Sequence, residues 1–373
     1  MPVIGVAHRR LEGGGKVTGA TRFTADLHLP ALAHARLLLS PMPAARITRV
    51  DLDAARRAPG VLAAVSGADL PDLAVAGPDL PLARGRVFFT GQPVAAVVAE
   101  TEAQAADAVE LVDVEYEPLP AVLDPLEAMS DGAPTVLDQG GAGLEDAGAH
   151  GVTGGGEVAA EMPPNVTAQV RFGEGEVEAA LAASAAVVRR RYTLPAVHQG
   201  FIETHLAVAR PEPDGELTVW TPTQGTFLTR KTIAGQLGLP VSRVRVVPMA
   251  VGGGFGGKVC LIEPLVALLA RLVERPVQLA LTRTEEFAMG RGGPAAIVDL
   301  EMGADRQGEL TGLRARVVFD NGAGQGGIGG LAGMFLGGTY RTAAYEIRAL
   351  DVATNKTPVT AYRAPGAPHC YFP

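Results

Sequence analysis

The chain has 373 residues, 47% hydrophobic and 19% charged, so it is long enough for two or three folded domains and too apolar to be disordered. Its net charge of −8, with no basic cluster, argues against nucleic-acid binding. Its two cysteines, Cys260 and Cys370, are too few for a disulfide framework or an Fe–S cluster. No apolar run is long enough to span a bilayer and no hydrophobic leader follows Met1, so we predict no membrane association and a cytoplasmic location.

Helix and strand patterns alternate in residues 1–127, the first predicted domain. Thr101 is a typical helix N-cap, and residues 112–117 alternate apolar and acidic side chains, which predicts a half-exposed strand. The predicted elements in chain order are a helix over residues 51–58, strands over 61–66 and 94–99, a helix over 102–111 and the strand over 112–117.

Residues 128–164 are rich in glycine and proline and are predicted to form a linker. The second predicted domain covers residues 165–373. The run Arg189-Arg190-Arg191 falls in one of its strands and indicates a solvated strand edge. Its predicted helices cover residues 177–184, 226–237 and 262–273, and its predicted strands 186–193, 217–221, 244–249, 276–281 and a hairpin of 296–302 with 310–319. The mixture of patterns predicts an α+β fold.

Residues 252–258, Gly-Gly-Gly-Phe-Gly-Gly-Lys, form what we call the glycine turn. It lies between a predicted strand and a predicted helix. Glycines let the backbone approach a ligand closely and present its N–H groups. A helix N-terminus behind the turn would favour an anion. These features predict a ligand-binding turn, although a tight turn without a ligand remains an alternative.

Two nucleotide motifs share this spacing. A Walker A loop fits from Gly252 to Lys258, but Val259 stands where a Ser or Thr must hold Mg²⁺. A dinucleotide fingerprint fits as well, but Thr282 and Arg283 follow the next strand where an acidic residue is required. Both interpretations are therefore disfavoured.

The glycine turn, with Thr223-Gln224 before it and Ala361-Tyr362-Arg363 after it, resembles the xanthine dehydrogenase and aldehyde oxidase family of molybdenum hydroxylases. Further similar segments occur in the family's order along almost the whole chain. They are residues 19–26, 91–95 and 114–120, which resemble the family's hammerhead domain, and 198–205, which resembles the entrance to its cofactor domain.

The resemblance implies an α/β hammerhead domain followed by the first molybdopterin-binding domain, which is incomplete without a C-terminal half. The implied cofactor is molybdopterin carrying molybdenum, with the cytosine dinucleotide form left open. It also implies hydroxylation of an aldehyde or N-heterocycle with oxygen from water. Electrons would pass to Fe–S clusters and FAD on partner chains, because the cofactor performs the difficult chemistry and the protein positions it.

Five residues match the family's cofactor-binding positions. Gln224 would hydrogen-bond near the molybdenum ligands, although a polar residue before a helix is the alternative. Arg363 would reach the cofactor, although a buried arginine paired with a core carboxylate is the alternative. The full implied set is Gln224, Gly254, Phe255, Gly256 and Arg363.

No direct metal ligand is implied in this chain. His198, Glu203 and His205 have the composition of a metal triad. The resemblance gives them no such role, so we interpret them as a buried hydrogen-bonded network.

Three positions depart from the family's better-known patterns. Val259 replaces the glutamate of purine-oxidising members, and residues 330–333 lack their arginine. Ala364 replaces the cysteine that binds copper in the carbon-monoxide branch. A less polar substrate, such as an aldehyde, is therefore favoured over xanthine or carbon monoxide. Cys370 is a different position and is interpreted as a small buried hydrophobe.

The sequence stops at Pro373, where the resemblance implies a comparable length still to come, including the glutamate base. We therefore expect the chain to be inactive alone, with its catalytic residues unknown. The alternatives of a split subunit and a truncation stay open, as does a non-catalytic remnant or assembly module. The expected partners are the C-terminal half of the large subunit, a [2Fe-2S] small subunit, an FAD medium subunit and a small-molecule substrate.

Overall fold

A computed structural model describes residues 4–137, 157–158, 162–325, 327–338 and 340–372. In chain order its strands are β1 (Ala33–Leu39), β2 (Ala45–Asp51), β3 (Val61–Ser66), β4 (Arg86–Val87), β5 (Pro93–Ala99), β6 (Asp113–Pro118), β7 (Glu157–Val158), β8 (Val166–Glu174), β9 (Ala186–Leu194), β10 (Leu206–Pro211), β11 (Leu217–Thr221), β12 (Val244–Pro248), β13 (Val277–Ala280), β14 (Ala295–Ala304), β15 (Leu310–Asp320) and β16 (Ala344–Val352).

The helices are α1 (Gly13–Thr18), α2 (Asp53–Arg56), α3 (Glu102–Val109), α4 (Pro125–Ala128), α5 (Val177–Ala183), α6 (Thr226–Gln236), α7 (Glu263–Val273), α8 (Arg283–Met289), α9 (Gly329–Gly338) and α10 (Ala367–Tyr371), with short 3₁₀ turns at Thr24–Asp26, Gly77–Asp79 and Val241–Arg243. In the parts of the chain given above, no helix is both long and apolar enough to cross a membrane.

A seven-stranded sheet runs through both predicted domains in the order β12-β11-β10-β13-β1-β5-β3. The parallel pairing of β1 with β13 joins the two halves. Ala35 and Val98 from the first segment pack in one buried cluster with Ala207, Leu269 and Leu279 from the second. The division at residues 127 and 165 therefore stays a prediction about sequence modules, because the sheet and its core are continuous across it.

The second segment, with β7 from the predicted linker, forms a six-stranded sheet in the order β7-β8-β16-β15-β14-β9, and the first segment adds a three-stranded sheet, β4-β2-β6. β9 is the edge strand predicted from its arginines. Arg189 pairs with Glu301 at 3.0 Å and Arg191 with Asp299 at 2.6 Å, both carboxylates belonging to the neighbouring strand β14. The predicted solvated edge is confirmed.

Local signals placed several elements correctly. At the start of α3, Thr101 Oγ1 accepts a hydrogen bond from the Gln104 amide at 3.3 Å, and the Gln104 side chain accepts one from the Thr101 amide at 3.1 Å. This capping box confirms the predicted start. The helix predicted over residues 51–58 is wrong in extent, because Asp51 ends β2 and only one helical turn, α2, follows.

Helix α9 was not predicted, because its sequence is glycine-rich and glycine is a poor helix former. Its glycines allow close packing: a Cβ on Gly333 would lie 2.5 Å from the Phe172 ring, on β8.

The predicted linker lies partly outside the described residues, at 138–156 and 159–161. Within the part of the linker that the structure describes, residues 128–137 are held by hydrogen bonds with the Asn165 side chain. The Asn165 side chain accepts from Val136 N at 2.9 Å and donates to the carbonyls of Ala128 and Pro134.

Candidate functional site

The glycine turn follows β12 and has a backbone that side chains would obstruct. Gly253 and Gly256 both have φ of +100°, a conformation that L residues rarely adopt. A Cβ on Gly254 would lie 2.5 Å from Gln224 Oε1, and one on Gly256 would lie 2.5 Å from the Ala361 carbonyl oxygen. The glycines are therefore needed both for the backbone angles and for the close approach of two other segments.

Gln224 comes from the loop between β11 and α6 and is held against the glycine turn. Its Oε1 accepts hydrogen bonds from the amides of Gly256 at 3.0 Å and Lys258 at 3.2 Å. Its own backbone amide donates to the Lys258 carbonyl at 2.7 Å. Gln224 does precede a helix, but α6 has no side-chain cap at Gly225. The side-chain oxygen of Gln224 therefore bonds to the glycine turn and does not cap the helix.

Arg363 lies beside the middle of the turn, where its backbone amide donates to the Phe255 carbonyl at 2.9 Å. Its side chain is exposed. No carboxylate in the described ranges forms an ion pair with it, so the alternative of a buried arginine paired in the core does not apply. Gln199 fixes this segment from beneath by donating to the carbonyls of Ala361 at 2.9 Å and Arg291 at 3.1 Å.

The result is a group of unpaired donors. Among the described residues, the backbone N–H groups of Gly253, Gly254 and Phe255 donate no hydrogen bond. The side-chain nitrogen of Gln224 and the Arg363 guanidinium are also without a partner there. Adjacent backbone N–H groups form concave sites that favour anions. This surface is therefore suited to a ligand with several oxygen or nitrogen acceptors and negative charge.

The end of the turn is anchored by two threonines, Thr223, which the sequence motif includes without a role, and Thr229, which the sequence analysis did not single out. Thr223 Oγ1 donates to the Val259 carbonyl at 2.7 Å, and Thr229 Oγ1 donates to the same oxygen at 2.5 Å. The Gly225 amide donates to Thr223 Oγ1 at 3.0 Å. The position of Thr223 directly before Gln224 was the available signal.

A layer of buried charged groups lies beneath the turn. Lys258 is 2% exposed, and its Nζ lies 2.7 Å from Glu203 Oε2 and 4.6 Å from the centre of the Phe201 ring. His205 Nδ1 lies 2.9 Å from Glu286 Oε1, and its Nε2 lies 3.3 Å from the Gly257 carbonyl oxygen. His198 Nε2 approaches Glu286 at 3.4 Å.

The network predicted for His198, Glu203 and His205 is wrong in its membership, because Glu203 does not contact either histidine. His198 and His205 lie against Glu286, which the sequence analysis did not single out, and Glu203 pairs with Lys258. In the part of the chain that the structure covers, no group of three His, Cys, Asp or Glu side chains is placed to hold a metal ion.

Burial and pairing act in opposite directions on these groups. Burial lowers the pKa of Lys258, and the hydrogen bond and charge of Glu203 oppose this. Burial alone would raise the pKa of Glu286, but the nearby imidazoles of His198 and His205 and the hydrogen bond from the His205 backbone amide outweigh it and hold that pKa far below its ordinary value. Glu286 therefore carries its charge inside the protein because these neighbouring groups stabilise the carboxylate.

The nucleotide-loop interpretations do not fit this geometry. The Lys258 ammonium, which a Walker A loop needs for phosphate, is buried against Glu203. Helix α7 begins at Glu263, after N-cap Ile262, so neither Lys258 nor Gly257 opens a helix. The anion preference expected from a helix N-terminus therefore has to come from the unpaired amides of the turn.

Cys370 lies in α10 and is buried in the core beside α9, where its Sγ donates to the Ala332 carbonyl at 3.0 Å. Burial raises the pKa of its thiol to about 12. The interpretation of Cys370 as a small buried hydrophobe is confirmed.

Comparison with known proteins identifies the domains of this chain. The chain matches the model of the molybdopterin cofactor-binding domain over residues 158–373 and that of the aldehyde oxidase and xanthine dehydrogenase a/b hammerhead domain over residues 18–120. It is 34% identical to a probable xanthine dehydrogenase subunit of Bacillus subtilis (strain 168), across 84% of this chain and 40% of that protein. It is 33% identical to the carbon monoxide dehydrogenase large chain of Hydrogenophaga pseudoflava, across 82% of this chain and 38% of that one.

Among solved structures, quinoline 2-oxidoreductase from Pseudomonas putida 86 superposes with a TM-score of 0.85 at 31% identity, covering 97% of this chain and 46% of that chain. The chain thus spans less than half the length of these relatives. The predicted α+β fold, with a hammerhead domain followed by a cofactor-binding domain, is confirmed. The chain belongs to the aldehyde oxidase and xanthine dehydrogenase family of molybdopterin-binding oxidoreductases.

Proposed function

We propose that this chain forms one wall of the molybdenum-cofactor site in an enzyme that hydroxylates an aldehyde or N-heterocycle with oxygen from water. The observation that carries the proposal is the group of unpaired donors on and beside the glycine turn. When bound, the cofactor supplies the redox and oxygen-transfer chemistry, and the protein supplies binding and orientation.

The residues present suit that group. Gly253, Gly254 and Phe255 would hold it through their backbone N–H groups, and Gln224 through the side-chain nitrogen that the turn leaves free. Arg363 would add a positive charge to balance an anionic ligand. Each of these groups donates only, which matches a ligand whose metal-bound and pterin atoms are mostly acceptors.

Several finer points belong to the same proposal. Val259 and Ala364 favour a less polar substrate, such as an aldehyde, over xanthine or carbon monoxide. The catalytic base and most pterin contacts would come from the C-terminal half of the large subunit. Electrons would leave through a [2Fe-2S] subunit and an FAD subunit. The cytosine dinucleotide form of the cofactor stays open, and the cytoplasmic location stays a prediction.

The test is co-purification of the chain with its partner chains from the native source, followed by molybdenum, iron and flavin analysis. Gln224→Ala and Arg363→Ala should each lower molybdenum content about tenfold, since a hydrogen bond to a charged group contributes roughly 1.5–3 kcal/mol.

Matched controls are Gln307→Ala and Arg306→Ala, which change the same residue types in the exposed turn between β14 and β15. They should leave molybdenum content unchanged. An assembled complex that never contains molybdenum would refute the proposal and favour a non-catalytic remnant or assembly module.

A further inference from the structure

One carboxylate oxygen contacts both ends of the glycine turn. Glu203 Oε2 accepts a hydrogen bond from the amide of Gly252, the first residue of the turn, at 2.8 Å. The same oxygen lies 2.7 Å from the ammonium of Lys258, the last residue. The Glu203 backbone amide also donates to the Gly252 carbonyl at 3.3 Å. A single side chain therefore links the backbone at one end of a seven-residue turn to the side chain at its other end.

Lys258 also contacts Gln224, whose side-chain nitrogen is one of the unpaired donors described above. Its backbone amide donates to Gln224 Oε1 at 3.2 Å, and its carbonyl accepts from the Gln224 backbone amide at 2.7 Å. Its side chain is almost completely buried over the ring of Phe201. Fixing the Lys258 side chain therefore restrains the residue that supplies two of the three backbone contacts to Gln224.

Stability alone does not explain this pair. A buried ion pair loses much of its Coulombic attraction to desolvation, and well-packed apolar side chains of similar volume are often at least as stable. Glu203 Oε1 adds a cost, because it is buried without a hydrogen-bond partner in the described structure. The geometry instead matches a restraint on the turn, because the charges connect its two ends and apolar contacts lack that directionality.

We propose that Glu203 and Lys258 are positioning residues that clamp the glycine turn and thereby hold Gln224 and the free turn amides in place for the cofactor. The cofactor part of this inference rests on the function proposed above. The clamp itself is a property of the protein that can be measured without cofactor.

The test uses the double variant Glu203→Gln/Lys258→Met in the complete complex. It removes both charges together, so no unpaired buried charge remains to unfold the protein. Exchange of the hydrogen-bonded amides of the turn, those of Gly252, Gly256, Gly257 and Lys258, is followed by mass spectrometry, alongside the urea midpoint and molybdenum content. We expect an unchanged urea midpoint, exchange at least about tenfold faster in the turn, and molybdenum content as low as in Gln224→Ala.

Adding Gln224→Ala to the double variant should lower molybdenum no further, because residues that act through one another are not additive. The matched control is Asp320→Asn/Lys356→Met, another lysine–carboxylate pair with a 2.7 Å contact and a buried carboxylate. It should leave exchange in the turn at the wild-type rate.

If the turn amides of the Glu203→Gln/Lys258→Met variant exchange at the wild-type rate, the proposed clamp is refuted, whatever the molybdenum content of the variant. Faster exchange with full molybdenum content would overturn the positioning role. A wild-type complex without molybdenum would refute the proposed function, and the exchange experiment would still decide whether the clamp exists.

Discussion

Replacing Gly256 with alanine tests whether the site depends on the close approach of two distant segments. Gly256 has φ of +100°, and left-handed backbone costs an L residue about 1–2 kcal/mol. The new Cβ would lie 2.5 Å from the Ala361 carbonyl oxygen, whereas ordinary contacts begin at 3.4 Å. The segments must therefore separate by about 0.9 Å, and overpacking of this kind costs about 1–3 kcal/mol. The expected loss of unfolding free energy is about 2–5 kcal/mol.

Gly308→Ala is the matched control, because Gly308 has a similar φ of +88° and no atom within 4 Å of its added Cβ. It should lose only the backbone component, about 1–2 kcal/mol. Urea unfolding of both variants against wild type measures the difference. Equal losses, within about 0.5 kcal/mol, would refute the steric argument. Arg363 follows Ala361 by two residues, and its backbone amide donates to the Phe255 carbonyl of the turn. Displacing Ala361 should therefore displace Arg363, so Gly256→Ala should also lower molybdenum content and Gly308→Ala should not.

Three further predictions concern stability and reactivity. Burial raises the pKa of Asp351 from 3.8 to about 6, so its stabilising contribution is complete below pH 3.8 and is lost as pH rises through 6. Between pH 4 and 7.5, the unfolding free energy of wild type should therefore fall by about 2 kcal/mol more than that of Asp351→Asn. Unfolding free energies from urea that change equally with pH in the two proteins would contradict this. Cys370, buried with a raised pKa, should resist iodoacetamide in the native protein while the less buried Cys260 reacts, and equal labelling by mass would contradict this. Asn165→Ala removes three hydrogen bonds and should cost about 2–4 kcal/mol in urea unfolding. A loss below about 1 kcal/mol would contradict it.

Elements with a local cause were predicted well. The capping box of Thr101 and Gln104 involves residues three positions apart, and the alternation in β6 is visible within six residues. Helix α9 was missed because its stability comes from packing glycines against β8 and β16, which local propensity does not report.

In the candidate site too, some features follow from the sequence and others from the tertiary structure. By itself, the sequence determined that residues 252–258 must form a glycine turn, and the resemblance selected Gln224 and Arg363 as its companions. Only the tertiary structure decided how they meet. Gln224 reaches the turn across 32 residues of chain, and Glu203 reaches Lys258 across 55. Such contacts depend on how the seven-stranded sheet arranges its loops, and long-range packing leaves no periodic trace in the sequence. For the same reason, Lys258 resembled a phosphate-binding lysine in sequence and proved to be a buried partner of Glu203 in the fold.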